Sequence, residues 1–194
     1  MQPDIQTAKA ALRKQIRALL QTIPPAAREA ASAQARALLK EQSIWKNAAS
    51  VLFFAPVSNE VDIWPLLEEA IQMGKTAALP RFDSADQSYV AGRVQNLRSE
   101  IVTGEFGIRE PAARCAEIPF GKFDLVLVPG VAFDLCGGRL GRGRGFYDRL
   151  LAEVHGIKCG VAFDGQIVTE VPMGTLDVPV DFILTATRCV KVAE

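Results

Sequence analysis

The stretch Lys122 to Leu150, KFDLVLVPGVAFDLCGGRLGRGRGFYDRL, decides the fold. Its apolar run Leu125 to Val128, closed by Pro129 and flanked by Asp124 and Gly130, has no polar alternation. That pattern predicts a strand buried on both faces, as in a mostly parallel sheet with helices above and below. The loop that follows is dense in glycine (Gly137, Gly138, Gly141, Gly143, Gly145) and in arginine (Arg139, Arg142, Arg144), and it runs through Phe146, Tyr147 and Asp148 into a helix. Glycines let backbone N–H groups approach an oxyanion closely and arginines offer planar multidentate donors, so the composition suits phosphate. The loop lacks the Gly-Lys-Ser/Thr of a P-loop. Its G-x-G-x-G run also begins about a dozen residues after the strand, unlike the Rossmann dinucleotide fingerprint. A plain surface connector with solvated arginines is the competing reading.

Outward from this centre, strands and helices alternate. Val51 to Ala55 (VLFFA) reads as a strand, and Glu60 and Asp62 precede a helix with Ile63, Leu66, Leu67, Ala70 and Ile71 on one face. Gly74 ends that helix and Thr76 to Pro80 (TAALP) begins a second strand, completing a β-α-β unit of roughly thirty residues whose strands should pair in parallel. A carboxylate such as Glu60, at a strand's C-terminal end, stands where α/β folds bind ligands, or it merely complements the next helix dipole. Arg81, just past Pro80, is a second candidate anion contact. Ser88 to Val94 reads as an edge strand or hairpin, and Cys159 to Phe163 (CGVAF) as one more buried strand. Phe106, in the turn-rich TGEFGIREP, reads on the residues alone as a core plug.

Two helices open the chain. In the first, Ala8, Leu12, Ile16, Leu19 and Leu20 recur at helical spacing, while Lys9, Arg13 and Arg17 line another face four residues apart. On the residues alone that basic line is a solvated face or an anion contact. Thr22, Pro24 and Pro25 start an alanine-rich second helix reaching Lys40.

Composition sets the outer limits. The chain has 194 residues, 49% hydrophobic, with zero formal net charge, and reads as one domain over residues 1–194. Neutral charge gives no support to general nucleic-acid binding. Four scattered cysteines without a C-x-x-C pair argue for reduced thiols in a cytoplasmic protein and against structural zinc. No apolar run approaches the roughly 18 to 20 residues of a membrane span. The one histidine, His155, lies beyond the loop's helix beside Gly156 and reads as structural or solvated, so any chemistry must rest on carboxylates, Arg, Lys, Tyr, metal or positioning.

The segment Arg139 to Asp148, preceded by VPGVAFD, resembles the signature of the 5-formyltetrahydrofolate cyclo-ligase (5,10-methenyltetrahydrofolate synthetase) family, R-L-G-[YR]-G-x-G-[YF]-Y-D, at every position. Weaker likenesses are FGIREP to the family's G-x-x-E-P, Ala162 to Gln166 to its A-F-x-x-Q, and Val171 to Thr185 to its closing segment; bacterial members often carry His-Asp where this chain has Leu176-Asp177. The resemblance implies a single α/β domain with a Rossmann-like layer lacking the dinucleotide fingerprint. It implies ATP-dependent closure of 5-formyltetrahydrofolate to 5,10-methenyltetrahydrofolate, releasing ADP and phosphate, through phosphorylation of the formyl oxygen. By the same resemblance Lys9, Arg13, Arg139, Gly141, Arg142, Gly143, Arg144, Gly145, Phe146 and Tyr147 bind ATP. Glu60, Phe106 and Tyr147 face the folate, Arg142 and Tyr147 are catalytic, and Asp148 and Asp177 hold magnesium. A monomer acting on ATP and a reduced folate, with neither nucleic acid nor membrane as partner, is the expectation. The alternatives are a non-catalytic nucleotide- or RNA-binding relative of the same fold, or a different enzyme on a related fold, such as a sugar-phosphate isomerase or acyl-CoA transferase.

Overall fold

A computed structural model of the chain describes residues 4–192. Helices α1 (Ile5–Gln21), α2 (Pro25–Glu41) and the one-turn α3 (Ser43–Lys46) lead into β1 (Ser50–Leu52), α4 (Trp64–Gln72), β2 (Thr76–Asp83) and β3 (Ser88–Val94). Then come α5 (Leu97–Glu100) and the short strands β4 (Ile101–Thr103), β5 (Arg109–Pro111) and β6 (Glu117–Ile118). The central strand β7 (Leu125–Pro129) is followed by β8 (Ala132–Asp134), β9 (Arg139–Leu140), α6 (Phe146–Ala152), β10 (Ile157–Val161), β11 (Ile167–Val168), β12 (Phe182–Leu184) and β13 (Cys189–Lys191). Among the described residues no helix is long and apolar enough to cross a membrane.

The main sheet has eight strands in the order β13-β12-β10-β7-β1-β2-β3-β6. Strands β12, β10, β7, β1 and β2 are mutually parallel, and the antiparallel β13, β3 and β6 cover the two edges. Alternate residues of β7 serve opposite faces. Leu125 and Leu127 join the apolar layer under α1, α2 and α4, whereas Val126 and Val128 join a second layer with Leu150 and Leu151 of α6. The sheet is therefore covered on both sides in one α/β domain, and all five β7 residues are buried, as its unbroken apolar run requires.

Strand β1 is shorter than VLFFA suggests, although the Phe53 N–H still donates to the Ala78 carbonyl at 2.9 Å. Strand β2 runs past Pro80 to Asp83 and turns back as a seven-pair antiparallel hairpin with β3, so Ser88 to Val94 is the hairpin partner. Arg81 is engaged within the protein, donating to the Ala112 carbonyl and pairing with Glu117 across the strands. His155 is exposed beside Gly121, past α6, and does not line the cavity described below.

The glycine-dense segment is more ordered than a loop. β8 and β9 form an antiparallel hairpin that β11 joins in parallel on the β8 side. Asp134, 4% exposed, organises it: Oδ1 accepts from the N–H groups of Cys136 and Gly138 at 2.9 and 2.8 Å, and Oδ2 from Val171 N–H at 2.7 Å. A Cβ on Gly138 would meet the same carboxylate at 2.3 Å, so only glycine fits the turn. Gln166, also buried, donates to the carbonyls of Gly130 and Val131 at 2.9 and 3.1 Å and pins the exit of β7.

Candidate active site

Strands β1 and β7 are neighbours whose chain connections leave to opposite sides of the sheet, which makes the gap beyond their C-terminal ends the switch point where α/β sheets bind ligands. A cavity of about 460 Å³ opens there. Its floor is Phe54, Ala55 and Val57 after β1 and Pro129 and Gly130 after β7. One wall is the signature segment, with Arg139, Gly141, Arg142, Arg144, Gly145, Phe146, Tyr147 and Asp148; the other carries Tyr89, Phe106, Ile108 and Glu110 from the β2–β5 region, and Glu60 closes a side.

The signature wall is stiffened from behind. Gly145 caps α6 in the left-handed region at φ 67° and Gly143 adopts φ 108°, two conformations that other residues resist. Arg139, 2% exposed, pairs with Asp148 on α6, and its guanidinium lies 5.8 Å from the centre of the Tyr147 ring. Helix α1 braces the loop: Arg13 Nε donates to the Gly141 carbonyl at 2.9 Å, and its guanidinium faces Gly143. Lys9 is buried and paired with Asp177, whose Oδ2 also accepts from the Gly174 N–H. Burial works against the Asp177 charge, but the Gly174 N–H and Lys9 outweigh it and hold the carboxyl below its usual range. Lys9, Arg13, Gly143 and Asp177 thus stand beside the cavity rather than lining it. The solvated-face reading of the basic line holds only for Arg17, which is exposed.

Glu60 and Arg142 meet across the mouth, Arg142 Nη2 to Oε1 at 2.7 Å, while Glu60 Oε2 accepts from the Val57 N–H at 3.1 Å. Helix capping falls instead to Asp62, whose Oδ1 accepts from Trp64 N–H, so Glu60 is free for the site. Burial pushes the Glu60 carboxyl up, and the Arg142 charge only partly offsets it. The same burial, with Glu60 nearby, pushes the Tyr147 phenol far above its ordinary value and keeps it a neutral donor. Phe106 is 40% exposed and so is no core plug. It lies 4.8 Å from Phe82 between ring centres, with the Arg144 guanidinium 5.1 Å from its own. Phe146 joins this cluster through Phe82 and Tyr89 at 5.8 and 5.2 Å. Arg144 therefore reaches toward the aromatic wall.

A family model described as the 5-formyltetrahydrofolate cyclo-ligase family matches residues 5–186. The chain belongs to that family. Among cyclo-ligases, that of Mycolicibacterium smegmatis is 33% identical over 179 residues, covering 88% of this chain and 91% of the relative. That of Escherichia coli K12 is 32% identical over 145 residues, covering 73% and 80%. The solved Aquifex aeolicus 5,10-methenyltetrahydrofolate synthetase superposes with a TM-score of 0.87 at 33% identity over 96% of this chain and 93% of that one. A Mycoplasma pneumoniae synthetase at 21% identity shares the fold, with a TM-score of 0.73.

Within the cyclo-ligase signature every residue expected from sequence gathers at the cavity or directly behind it. The magnesium expectation meets a sparse donor set. Among the described residues no three His, Cys, Asp or Glu side chains cluster as a metal site, and Asp148 and Asp177 each already hold a cation. Sequence reading left Tyr89, Glu110, Asp134 and Phe82 without a role. Glu110 and Asp134 each fall within a quoted likeness, as the acidic residues of FGIREP and VPGVAFD.

Proposed function

We propose that this chain catalyses the ATP-dependent conversion of 5-formyltetrahydrofolate to 5,10-methenyltetrahydrofolate, with release of ADP and phosphate. The observation that carries the reading is the Glu60–Arg142 contact, which joins the anion-suited signature loop to the aromatic side of one cavity. Such a junction is where a phosphoryl group would pass from nucleotide to folate.

The formyl oxygen is an amide oxygen and a poor leaving group. It attacks the γ-phosphorus of ATP, the bond to ADP breaks, and an iminium phosphate forms at N5. N10 of the same folate adds to the formyl carbon, its proton leaves, and phosphate departs with the C–O electrons, giving the methenyl cation. Phosphoryl transfer asks for alignment and charge neutralisation more than for covalent help. Lys9, Arg13 and Arg139 hold the nucleotide and the phosphate loop, the backbone of Gly141, Gly143 and Gly145 with Arg144 and Phe146 completes that side, and Arg142 neutralises the transferred group. Glu60, kept basic by burial, receives the N10 proton. Tyr147 donates to the departing oxygen as a neutral phenol. Phe106 forms the pterin wall.

Magnesium bound to ATP would supply further charge neutralisation. The carboxylate oxygens not used in ion pairs, Asp148 Oδ2 and Asp177 Oδ1, suit contact through the ion's waters, in keeping with an ion carried chiefly by the substrate's phosphates.

The test is to mix protein, ATP, Mg²⁺ and 5-formyltetrahydrofolate and follow methenyl absorbance at the violet edge of the ultraviolet. The signal should rise, and should vanish with chelator or a non-hydrolysable ATP analogue. Undiminished product in either control overturns the assignment. Nucleotide binding without product would favour a non-catalytic relative.

A further inference from the structure

Two glutamates line the cavity, and their surroundings differ. Glu60 has both oxygens engaged and its charge balanced by Arg142, so it sits at the phosphate-loop end. Glu110 lines the aromatic wall of the same cavity. It projects from β5, its Oε2 accepts from the Phe82 N–H at 3.2 Å, and its carboxylate lies over Gly104, where an added Cβ would come within 2.2 Å of it. Among the described residues no Lys or Arg nitrogen lies within 4 Å of the Glu110 carboxylate, and Oε1 has no hydrogen-bond donor. Aromatic groups surround it: Phe82 and Tyr89 are packed together at 5.6 Å, and Phe106 covers Phe82. A half-buried carboxylate facing a ligand cavity without a cation is costly unless the ligand brings donors.

We infer that Glu110 accepts hydrogen bonds from the 2-amino group and N3–H of the substrate's pterin and so fixes which way the ring system enters; this rests on the cyclo-ligase reading above. The formyl group at N5 must face the phosphate loop for transfer to occur. The 2-amino group lies across the pyrimidine ring from the N5 substituent, so its acceptor is a group other than the arginines that meet the formyl oxygen. Glu110, which has no ion-pair partner, is such an acceptor, whereas Glu60 is taken by Arg142. The two adjacent N–H donors match a carboxylate, which is an acceptor only and binds planar donor pairs bidentately. Oε2 keeps a second lone pair after serving Phe82, so both oxygens remain usable. Glu110 is a specificity-determining residue in this assignment and takes no part in proton or phosphoryl transfer.

The test compares 5-formyltetrahydrofolate with its 2-desamino-2-methyl counterpart, binding both by titration calorimetry without ATP to wild type and to Glu110→Gln. Glutamine retains an acceptor for the Phe82 N–H but presents its own NH₂ to the ring edge. Wild type should prefer the parent by roughly 30-fold, and the preference should fall to about threefold or less in the variant, with the KM for ATP unchanged within about twofold. A merely structural role for Glu110 weakens both ligands alike and leaves the preference intact, which overturns the inference. Glu110→Asp, which keeps the charge but draws it back, should retain an intermediate preference, and an unaltered one would likewise overturn it. The two readings fail separately. If wild type makes no methenyl product the cyclo-ligase reading falls, whereas an active wild type whose preference survives in Glu110→Gln removes only the Glu110 assignment.

Discussion

Arg142 is 55% exposed along its side chain and held by one contact, to Glu60. Its one hydrogen bond leaves the rest of the guanidinium open to a ligand. In the proposed reaction its fork is shared between the carboxylate and the transferred phosphoryl group, which arginine geometry permits and an ammonium does not. Arg142→Ala should therefore lower kcat by about 100-fold, as losing a preorganised electrostatic contact does, and Arg142→Lys should recover little of it. Initial rates of methenyl formation at saturating ATP read this directly. Full wild-type rate at saturation would reduce Arg142 to ground-state binding. The Glu60 carboxyl supplies a second reading. Its value is raised above the ordinary 4.5 by burial, so as pH falls Glu60 protonates earlier than a free glutamate. The rate should then fall on an acid limb lying above that ordinary value. In Arg142→Ala the offsetting charge is gone, and the limb should move higher still. Glu60→Gln should abolish it in a pH profile of kcat/KM; an acid limb that survives in Glu60→Gln belongs to another group.

At the level of elements, the signature segment depends on its turn. Asp134 holds three backbone N–H groups together in a buried setting. Asp134→Ala leaves those donors unsatisfied and should cost about 3 kcal/mol in denaturant unfolding, since bonds to a charged acceptor are stronger than neutral ones and orphaned donors carry their full desolvation penalty. A loss below about 1 kcal/mol would mean that the hairpin does not rely on Asp134. How far these elements could be read from sequence follows from the range of their contacts. β7 and β10 are plain because strands buried on both faces write unbroken apolar runs. The β8–β9 hairpin is not, because its order comes from one aspartate reaching Val171 through space. Helix α1 misleads for a related reason. Its periodicity assigns Leu19 to the core, yet Leu19 is 42% exposed and Lys9 only 7%. The burial of Lys9 depends on Asp177, far along the chain, and no local pattern records that partner. The signature from Arg139 to Asp148 was legible because glycine spacing and arginine content are themselves the chemistry. Glu110 was not, because nothing in FGIREP tells a strand carboxylate aimed into a cavity from one aimed at solvent.

For the molecule as a whole, the sheet gathers distant segments to one edge. The cavity takes walls from the segment after β1 and from β2, β3, β5, β7, β9 and α6, and the brace behind it comes from α1 and the Gly174–Asp177 turn. Parallel pairing makes such convergence natural, because every parallel strand delivers its C-terminal end to the same side. Sequence order and spatial order then part company. The Lys9–Asp177 pair joins residues 168 positions apart. During synthesis α1 leaves the ribosome first, carrying a lysine whose counter-ion will not be made until almost all of the chain has been translated. Until then Lys9 lacks Asp177 and Arg13 lacks the Gly141 carbonyl, so β1, α4 and β2 can form before the brace behind the cavity exists. The brace behind the cavity is completed only when residues late in the chain meet the first helix, and under the proposed function a chain stalled before that point is one that ATP would do little to stabilise.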